Sequence, residues 1–215
     1  MGGIRVIPNN PERKGMLDLR TEIPFSGSLA LQMIKPFWKS EGGFPLVVFI
    51  QGSAWTKPNQ FWVTDITYIP IPGNMLYMCA VLDLCGKVVL AWKIGADITS
   101  SLVTDTIREA LQTEKVTGGL ALHSDQGSQY TSQAYFDLAQ AYHVSPSMSS
   151  PGCPYDNAAM ENFFGTLKTE CLYRAHFTTR AEVEQLVTEY VDFYNFERIA
   201  LKNGLTPVEI RSKTA

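Results

Sequence analysis

From about Trp62 onward the sequence predicts an α/β domain, a mixed sheet flanked by helices. Three observations predict it. Three β-rich runs follow one another across short turns: Phe61–Ile69, Met75–Leu84 and Lys87–Ile94. Apolar residues then recur at helical spacing in several later segments. Two further short runs, Leu120–Leu122 and "HVSPSMS" from His143, alternate with those helices.

Each element has a local reason. "FWVTDITYI" and "MLYMCAVLDL" are rich in β-branched and aromatic residues, and Pro70-Ile71-Pro72-Gly73-Asn74 separates them. Cys85-Gly86 turns the chain into "KVVLAWKI", which makes an antiparallel meander. A helix follows over about Ser100–Glu114, with Leu102, Val103, Ile107, Ala110 and Leu111 on one side. Leu120–Leu122 is the fourth strand, Ser132–Tyr142 a second helix, and "HVSPSMS" the fifth strand. "DNAAMENFFGTLKTECL" places Met160, Phe163, Phe164, Leu167 and Cys171 on one helical face. The last helix starts at Thr179, with Glu182 at capping-box spacing and an apolar stripe of Val183, Leu186, Val187, Tyr190, Val191 and Tyr194.

Composition limits the class. The chain has 215 residues, 45% hydrophobic and 18% charged, room for one or two globular domains. No apolar run approaches the ~20 residues of a membrane span, and the first residues lack a signal peptide's pattern, which together predict a cytoplasmic protein. Cys79, Cys85, Cys153 and Cys171 form no CxxC pair and no His clusters beside them, so neither a zinc site nor a disulfide framework is expected. The net charge of −3 is unevenly spread: residues 1–59 carry 7 Lys/Arg against 4 Asp/Glu, the remainder 11 against 17. An acidic domain acts on DNA only if its acids hold cations that meet the phosphates, with affinity coming from local basic residues or another module.

Three acids stand out. Asp65 lies inside the first strand of the meander, and Asp125 directly follows the fourth. If those strands are neighbours, the two carboxylates share one edge of the sheet, where open α/β sheets place their sites. Asp125 alone also reads as a turn residue. Asn157, Glu161 and Lys168 return to one side of their helix at steps of four and seven. That edge is either the lining of a cleft or a solvated face. Oxygen donors of this kind suit Mg²⁺, and two such ions can clamp the attacking and leaving oxygens of a phosphodiester.

Asp65, Asp125 and Glu161, with 35 residues between the last two, resemble the acidic triad of the DDE transposase/integrase core. The phrases "WVTDITYIP", "VLDL", "LHSDQGSQYTS", "SMSSPGCPYDNAAMENFFGTLKTE" and "YNFERIALKNGLTPVEI" resemble, in order, the second-frame transposase of a large group of bacterial insertion sequences. The resemblance covers Lys57 to the C-terminus. It implies a ribonuclease-H-like fold with a five-stranded mixed sheet, two Mg²⁺ or Mn²⁺ ions held by Asp65, Asp125 and Glu161, and DNA cleavage and strand transfer. It also implies DNA contacts at Lys168 and Asn157, DNA as partner, self-association and a companion first-frame protein. His123 is read as a structural residue and Asp156 as the N-cap of the Glu161 helix. Ala200 stands where the commoner family pattern has His.

Residues 1–56 read differently. They are rich in Pro and Gly, show no helix-turn-helix pattern, and contain one strong strand, Phe44–Ile50. "FPLVVFIQGSAWTKP" resembles the early strand and oxyanion turn of an α/β-hydrolase esterase, but the chain has no G-x-S-x-G elbow and Ser53 is a poor nucleophile. A hydrolase fragment fused to the core near Trp55–Asn59 is one reading, which makes an inert fusion product or an esterase fragment the alternative functions. A divergent native extension is the other.

Overall fold

A computed structural model describes residues 57–148, 157–201 and 203–214, with the backbone of three short strands nearer the N-terminus. The chain divides into two units, Met1–Gln51 and Gly52–Ala215. In the first, β1 (Thr21–Ile23), β2 (Leu31–Ile34) and β3 (Val47–Phe49) form a small antiparallel sheet in that order. β3 falls inside the strand expected at Phe44–Ile50, whereas β1 and β2 carried no pattern that announced them. Ser53 and the oxyanion turn lie outside the described residues.

The second unit runs β4 (Phe61–Ile71), β5 (Asn74–Asp83), β6 (Val88–Gly95), α1 (Ser100–Thr113), β7 (Ala121–Ser124), α2 (Gln133–Ala141), β8 (Ser145–Met148), α3 (Ala158–Glu170), α4 (Arg180–Phe196) and α5 (Pro207–Lys213). Its five strands lie in the order β6-β5-β4-β7-β8. The first three form the antiparallel meander. β7 and β8 join parallel to β4, as crossovers through α1 and α2 require.

The β4–β5 turn is tighter than the sequence suggests. Ile71 pairs with Asn74, which leaves only Pro72-Gly73 between the strands, and Gly73 takes φ of 73°. Pro70 therefore sits within β4, opposite Met75. A proline is tolerated there because β7 pairs only with Phe61–Val63. Beyond Val63 that side of β4 has no strand partner asking for an N–H.

Strand periodicity divides the core in two. Val63, Met78, Ala80 and Leu82 pack with Met160, Phe163, Phe164 and Leu167 of α3 and Val183, Val187 and Val191 of α4. Trp62, Cys79 and Val81 point the other way, into Val103, Ile107 and Leu111 of α1 and Tyr135 and Leu138 of α2. The stripe expected on α4 is buried except Leu186, which is half-buried. The Thr179–Glu182 capping box is present. At the other end of α4, the buried Asn195 accepts from the Val89 N–H (3.0 Å) and donates to the Val89 carbonyl (2.9 Å), closing backbone groups of the edge strand β6.

Helix α5 is absent from the sequence-based expectation. Its signal was there: Thr206, Pro207 and Glu209 make a second capping box with proline in the first turn. The helix lies over the β5–β6 turn. A Cβ at Gly86 would meet the Pro207 carbonyl at 2.3 Å, so glycine is what lets the two backbones approach. Arg211 of α5 then binds the fully buried Asp83 (Nε–Oδ2, 3.0 Å), Glu114 at the end of α1 and the Asn59 side chain (2.8 Å). Asp83 also accepts from the backbone N–H of Asn59 and Cys85.

This clasp differs in kind from the exposed Arg180–Glu184 pair of α4. Arg211→Ala leaves a buried carboxylate without its cation and is expected to destabilise the chain by about 3 kcal/mol. Arg180→Ala is expected to cost less than about 0.5 kcal/mol. Urea unfolding of both variants measures the difference, and equal losses would reduce the clasp to a surface pair.

Candidate active site

The parallel pairing of β4 with β7 sets the site. Its last register pair is Val63 with His123. Asp65 and Asp125 each stand two residues further on, at the same level of neighbouring strands that lie about 4.8 Å apart. β7 ends at Ser124, so Asp125 leaves the sheet where the side of β4 becomes open. The expectation that the two acids share one edge of the sheet is met by this register.

Asp65 has the same parity as Val63 and so faces the α3–α4 layer. That layer brings in Glu161, in the first turn of α3. Met160, Phe163, Phe164 and Leu167 are buried on α3 while Glu161 stays exposed. Asp65 feels the other two acids. Its carboxyl is raised to about 6: burial contributes most, the Ile66 backbone N–H opposes it, and the charges of Asp125 and Glu161 add to the rise.

Asp125 is exposed, with Oδ1 accepting from the Gly127 N–H at 2.9 Å. A Cβ on Gly127 would stand 3.0 Å from that oxygen and from Gln129 Oε1, so the glycine keeps the space beside the carboxylate clear. Among the described residues no three His, Cys, Asp or Glu side chains already form a metal cage. The donor set nevertheless fits a hard divalent cation: three carboxylates from three elements, all oxygen, two of them exposed and both raising the charge cost of Asp65.

The other expected residues separate. Lys168 is half-buried in the last turn of α3, seven residues past Glu161, where it also complements the helix dipole. Asn157 was expected to meet DNA, but it is 7% exposed and its Nδ2 donates to the Thr64 carbonyl at 3.3 Å. That placement leaves it little surface to offer a duplex. Asn157 occupies the N-cap position of α3 and makes no capping bond, and Asp156, expected there, lies outside the described residues. His123 Nδ1 bonds Ser147 Oγ across to β8 at 3.0 Å, the structural role expected of it. A hollow of 290 Å³ beside β6 and the start of α1 includes none of the three acids, which line an open sheet edge instead.

Sequence reasoning missed Thr64 and Tyr130. Thr64 faces the α1–α2 layer because it is one residue from Asp65 on a strand. There its Oγ1 lies 3.3 Å from the hydroxyl of Tyr130, which is 1% exposed. Tyr130 sits in the polar stretch "GSQYTS", and nothing in the spacing marks it as buried.

Removing the Asp65 charge tests the electrostatics. Its folded-state value of about 6 exceeds the ordinary 3.8, so its stability penalty is absent below about pH 4, grows as pH rises toward 6, and is complete above that. Asp65→Asn is therefore expected to stabilise the chain at pH 8, on the order of 2 kcal/mol, and to leave stability unchanged at pH 3.5. Thermal unfolding at both pH values gives the answer. A variant no more stable at pH 8 would mean that the acids are not crowded.

Residues 56–154 and 161–214 match models that both describe the integrase core domain. The transposase for insertion sequence element IS904 of Lactococcus lactis is 40% identical over 145 residues, 67% of this chain and 57% of the relative. Transposase InsF for insertion sequence IS3A of Escherichia coli is 35% identical over 158 residues, 73% of this chain and 55% of the relative. The chain thus spans somewhat over half the length of the curated relatives it matches. Among solved structures, the HTLV-2 integrase catalytic core in complex with magnesium superposes with a TM-score of 0.56 at 18% identity, covering 72% of this chain and 97% of that one. A chain of the simian T-cell lymphotropic virus intasome in complex with PP2A regulatory subunit B56 gamma gives 0.63 at 18% identity, over 72% of this chain and 55% of that one. The mixed five-stranded sheet is the ribonuclease-H-like fold of these cores, and the chain belongs to the integrase core domain family.

Proposed function

We propose that the chain is the catalytic core of an insertion-sequence transposase, a DDE polynucleotidyl transferase that cleaves and joins DNA. The observation that carries this is the parallel β4–β7 pairing, which sets Asp65 on β4 level with Asp125 just past the end of β7, with Glu161 close enough for Asp65 to sense its charge. Asp65, Asp125 and Glu161 are the residues that hold two Mg²⁺ or Mn²⁺ ions. Bound there, the ions supply positive charge to the attacking and leaving oxygens of a phosphodiester.

The chain's own residues do the rest. Asp65 is fixed by its strand and by the Ile66 N–H, so one carboxylate is set before DNA arrives. Asp125 and Glu161, both exposed, adjust around it. Gly127 keeps bulk away from Asp125. In the first step a water oxygen bonds to phosphorus and the 3′ oxygen leaves, taking a proton to become a 3′-hydroxyl. In the second, that hydroxyl attacks a phosphodiester of target DNA, forming one bond as another breaks. No covalent bond to the protein is needed.

Lys168 contributes a phosphate contact beside the acids. Affinity for the element's ends is assigned to a companion first-frame chain, because residues 60–215 carry 11 Lys/Arg against 17 Asp/Glu. Self-association on DNA follows the intasome neighbour, and action on DNA implies the cytoplasm. Among the described residues no helix is long and apolar enough to cross a membrane.

Mn²⁺ is expected to raise the unfolding temperature, by mass action, and Asp125→Asn to remove most of that rise. Glu161→Gln is expected to bind DNA yet lose Mn²⁺-dependent nicking of the element's end by at least about 100-fold, as removing a group essential to the transition state does. Lys168→Ala is expected to nick but to reduce the salt dependence of binding by about one unit. A Glu161→Gln chain that still nicks would end this assignment, and an unchanged salt slope would return Lys168 to an ordinary helix-end lysine.

A further inference from the structure

On the reading of Asp65, Asp125 and Glu161 as one site, three separate elements must be held in register: β4, the loop after β7, and the start of α3. We infer that Thr64 is the junction that holds them, with Tyr130 and Asn157 as positioning residues that reach it from opposite layers of the domain.

The contacts form two short chains that meet at one residue. On the α1–α2 side, Asp125 Oδ1 accepts from the Gly127 N–H (2.9 Å) and the Gly127 carbonyl accepts from the Tyr130 N–H (2.9 Å). The Tyr130 hydroxyl then meets Thr64 Oγ1 at 3.3 Å. Cys79 Sγ lies 3.7 Å from the same oxygen, and Tyr135 stacks edge-on against the Tyr130 ring at 5.8 Å. Thr64 is fully buried and Tyr130 nearly so. A hydrogen bond in such a place competes with no water, so it fixes the Asp125 loop against β4.

On the other side, the Asn157 Nδ2 donates to the carbonyl of Thr64, the peptide that leads into Asp65. Asn157 lies four residues before Glu161, at the N-cap of α3. Among the described residues its buried Oδ1 has no hydrogen-bond partner. A buried acceptor so placed is unfavourable, and among the described residues the bond to Thr64 is what orients the side chain. The amide therefore ties the first turn of α3 to β4 and sets how far Glu161 stands from Asp65. Thr64 serves both ties because a strand residue presents its side chain to one layer while its carbonyl lies in the sheet plane. That carbonyl is free for Asn157 because β7 has stopped pairing with β4 at Val63.

The test uses the full chain and Mn²⁺ alone as probe. Residues that orient ligands without touching the ion typically change affinity 10–100-fold. Tyr130→Phe and Asn157→Ala are each expected to weaken Mn²⁺ binding by about 10-fold or more. Val183→Ala, a truncation in the α4 layer, is expected to lower the unfolding temperature but bind Mn²⁺ as the parent does. Thr64→Val combined with Tyr130→Phe is expected to lose no more than Thr64→Val alone, because both remove one bond, whereas Asn157→Ala adds to either.

Metal-free hydrogen exchange gives an independent readout. Tyr130→Phe is expected to speed exchange at Gly127–Thr131, and Asn157→Ala in the first two turns of α3. Unchanged Mn²⁺ affinity with unchanged local exchange overturns the junction, as does a Val183→Ala chain that loses Mn²⁺ affinity equally. If the parent chain binds no Mn²⁺, the function proposed above fails instead. Exchange then decides the junction by itself: loosening confined to these segments upholds it, and no loosening overturns it.

Discussion

The domain is organised by one constraint: three like charges must be brought near one another from strand, loop and helix. Backbone pairing meets it. Three residue pairs between β4 and β7 place Asp65 and Asp125 at one level, and the pairing stops at Val63, just before the acids. The stop matters as much as the pairing. It opens the side of β4, leaves the Thr64 carbonyl to Asn157, and lets Pro70 sit in a strand. A longer β7 would seal the edge that the carboxylates need.

Crowded carboxylates weaken a fold, so the stabilising contacts lie elsewhere. Both helical layers are packed through fully buried residues such as Trp62, Met78, Ile107 and Phe163. At the start of β4, ahead of Asp65, Arg211 gathers Asp83, Glu114 and Asn59, joining the last helix to the sheet and to α1. The same domain therefore holds two acidic clusters with opposite fates. Burial raises the Asp83 carboxyl too, but a guanidinium and two backbone N–H groups oppose that rise. Asp65 receives one N–H and two neighbouring negative charges. A carboxylate compensated within the fold has a structural part to play. One left short of positive charge beside others at an open edge is available to a ligand that brings it.

Much of this was legible in the sequence because it rests on periodicity. The apolar faces of α1, α3 and α4 follow from 3.6-residue spacing, and the meander follows from β-rich runs between turns. The acids were legible because strand, strand end and helix each announced themselves. What could not be read depends on tertiary approach. Tyr130 in a polar loop is buried only because Thr64 lies beneath it on the next strand. Asn157 read as an edge residue of a helix, yet the sheet covers it. Asp83 and Arg211 are 128 residues apart and share no pattern. Helix α5 is the exception, since its capping box of Thr206 and Glu209 with Pro207 in the first turn is a local pattern that the sequence displays.

The acidic balance of the core fits these placements. A basic surface would bind duplex along its whole length and would also neutralise the acids from within, as Arg211 does for Asp83. On the reading proposed above, the lack of a partnering cation among the described residues would keep the charge of Asp65, Asp125 and Glu161 for ions, and bound ions would then become the local positive surface that phosphate meets. On that reading attraction to DNA would be confined to one edge of the sheet. Binding ions would then also assemble the site, because two of the three acids are exposed and only the one in β4 is fixed beforehand.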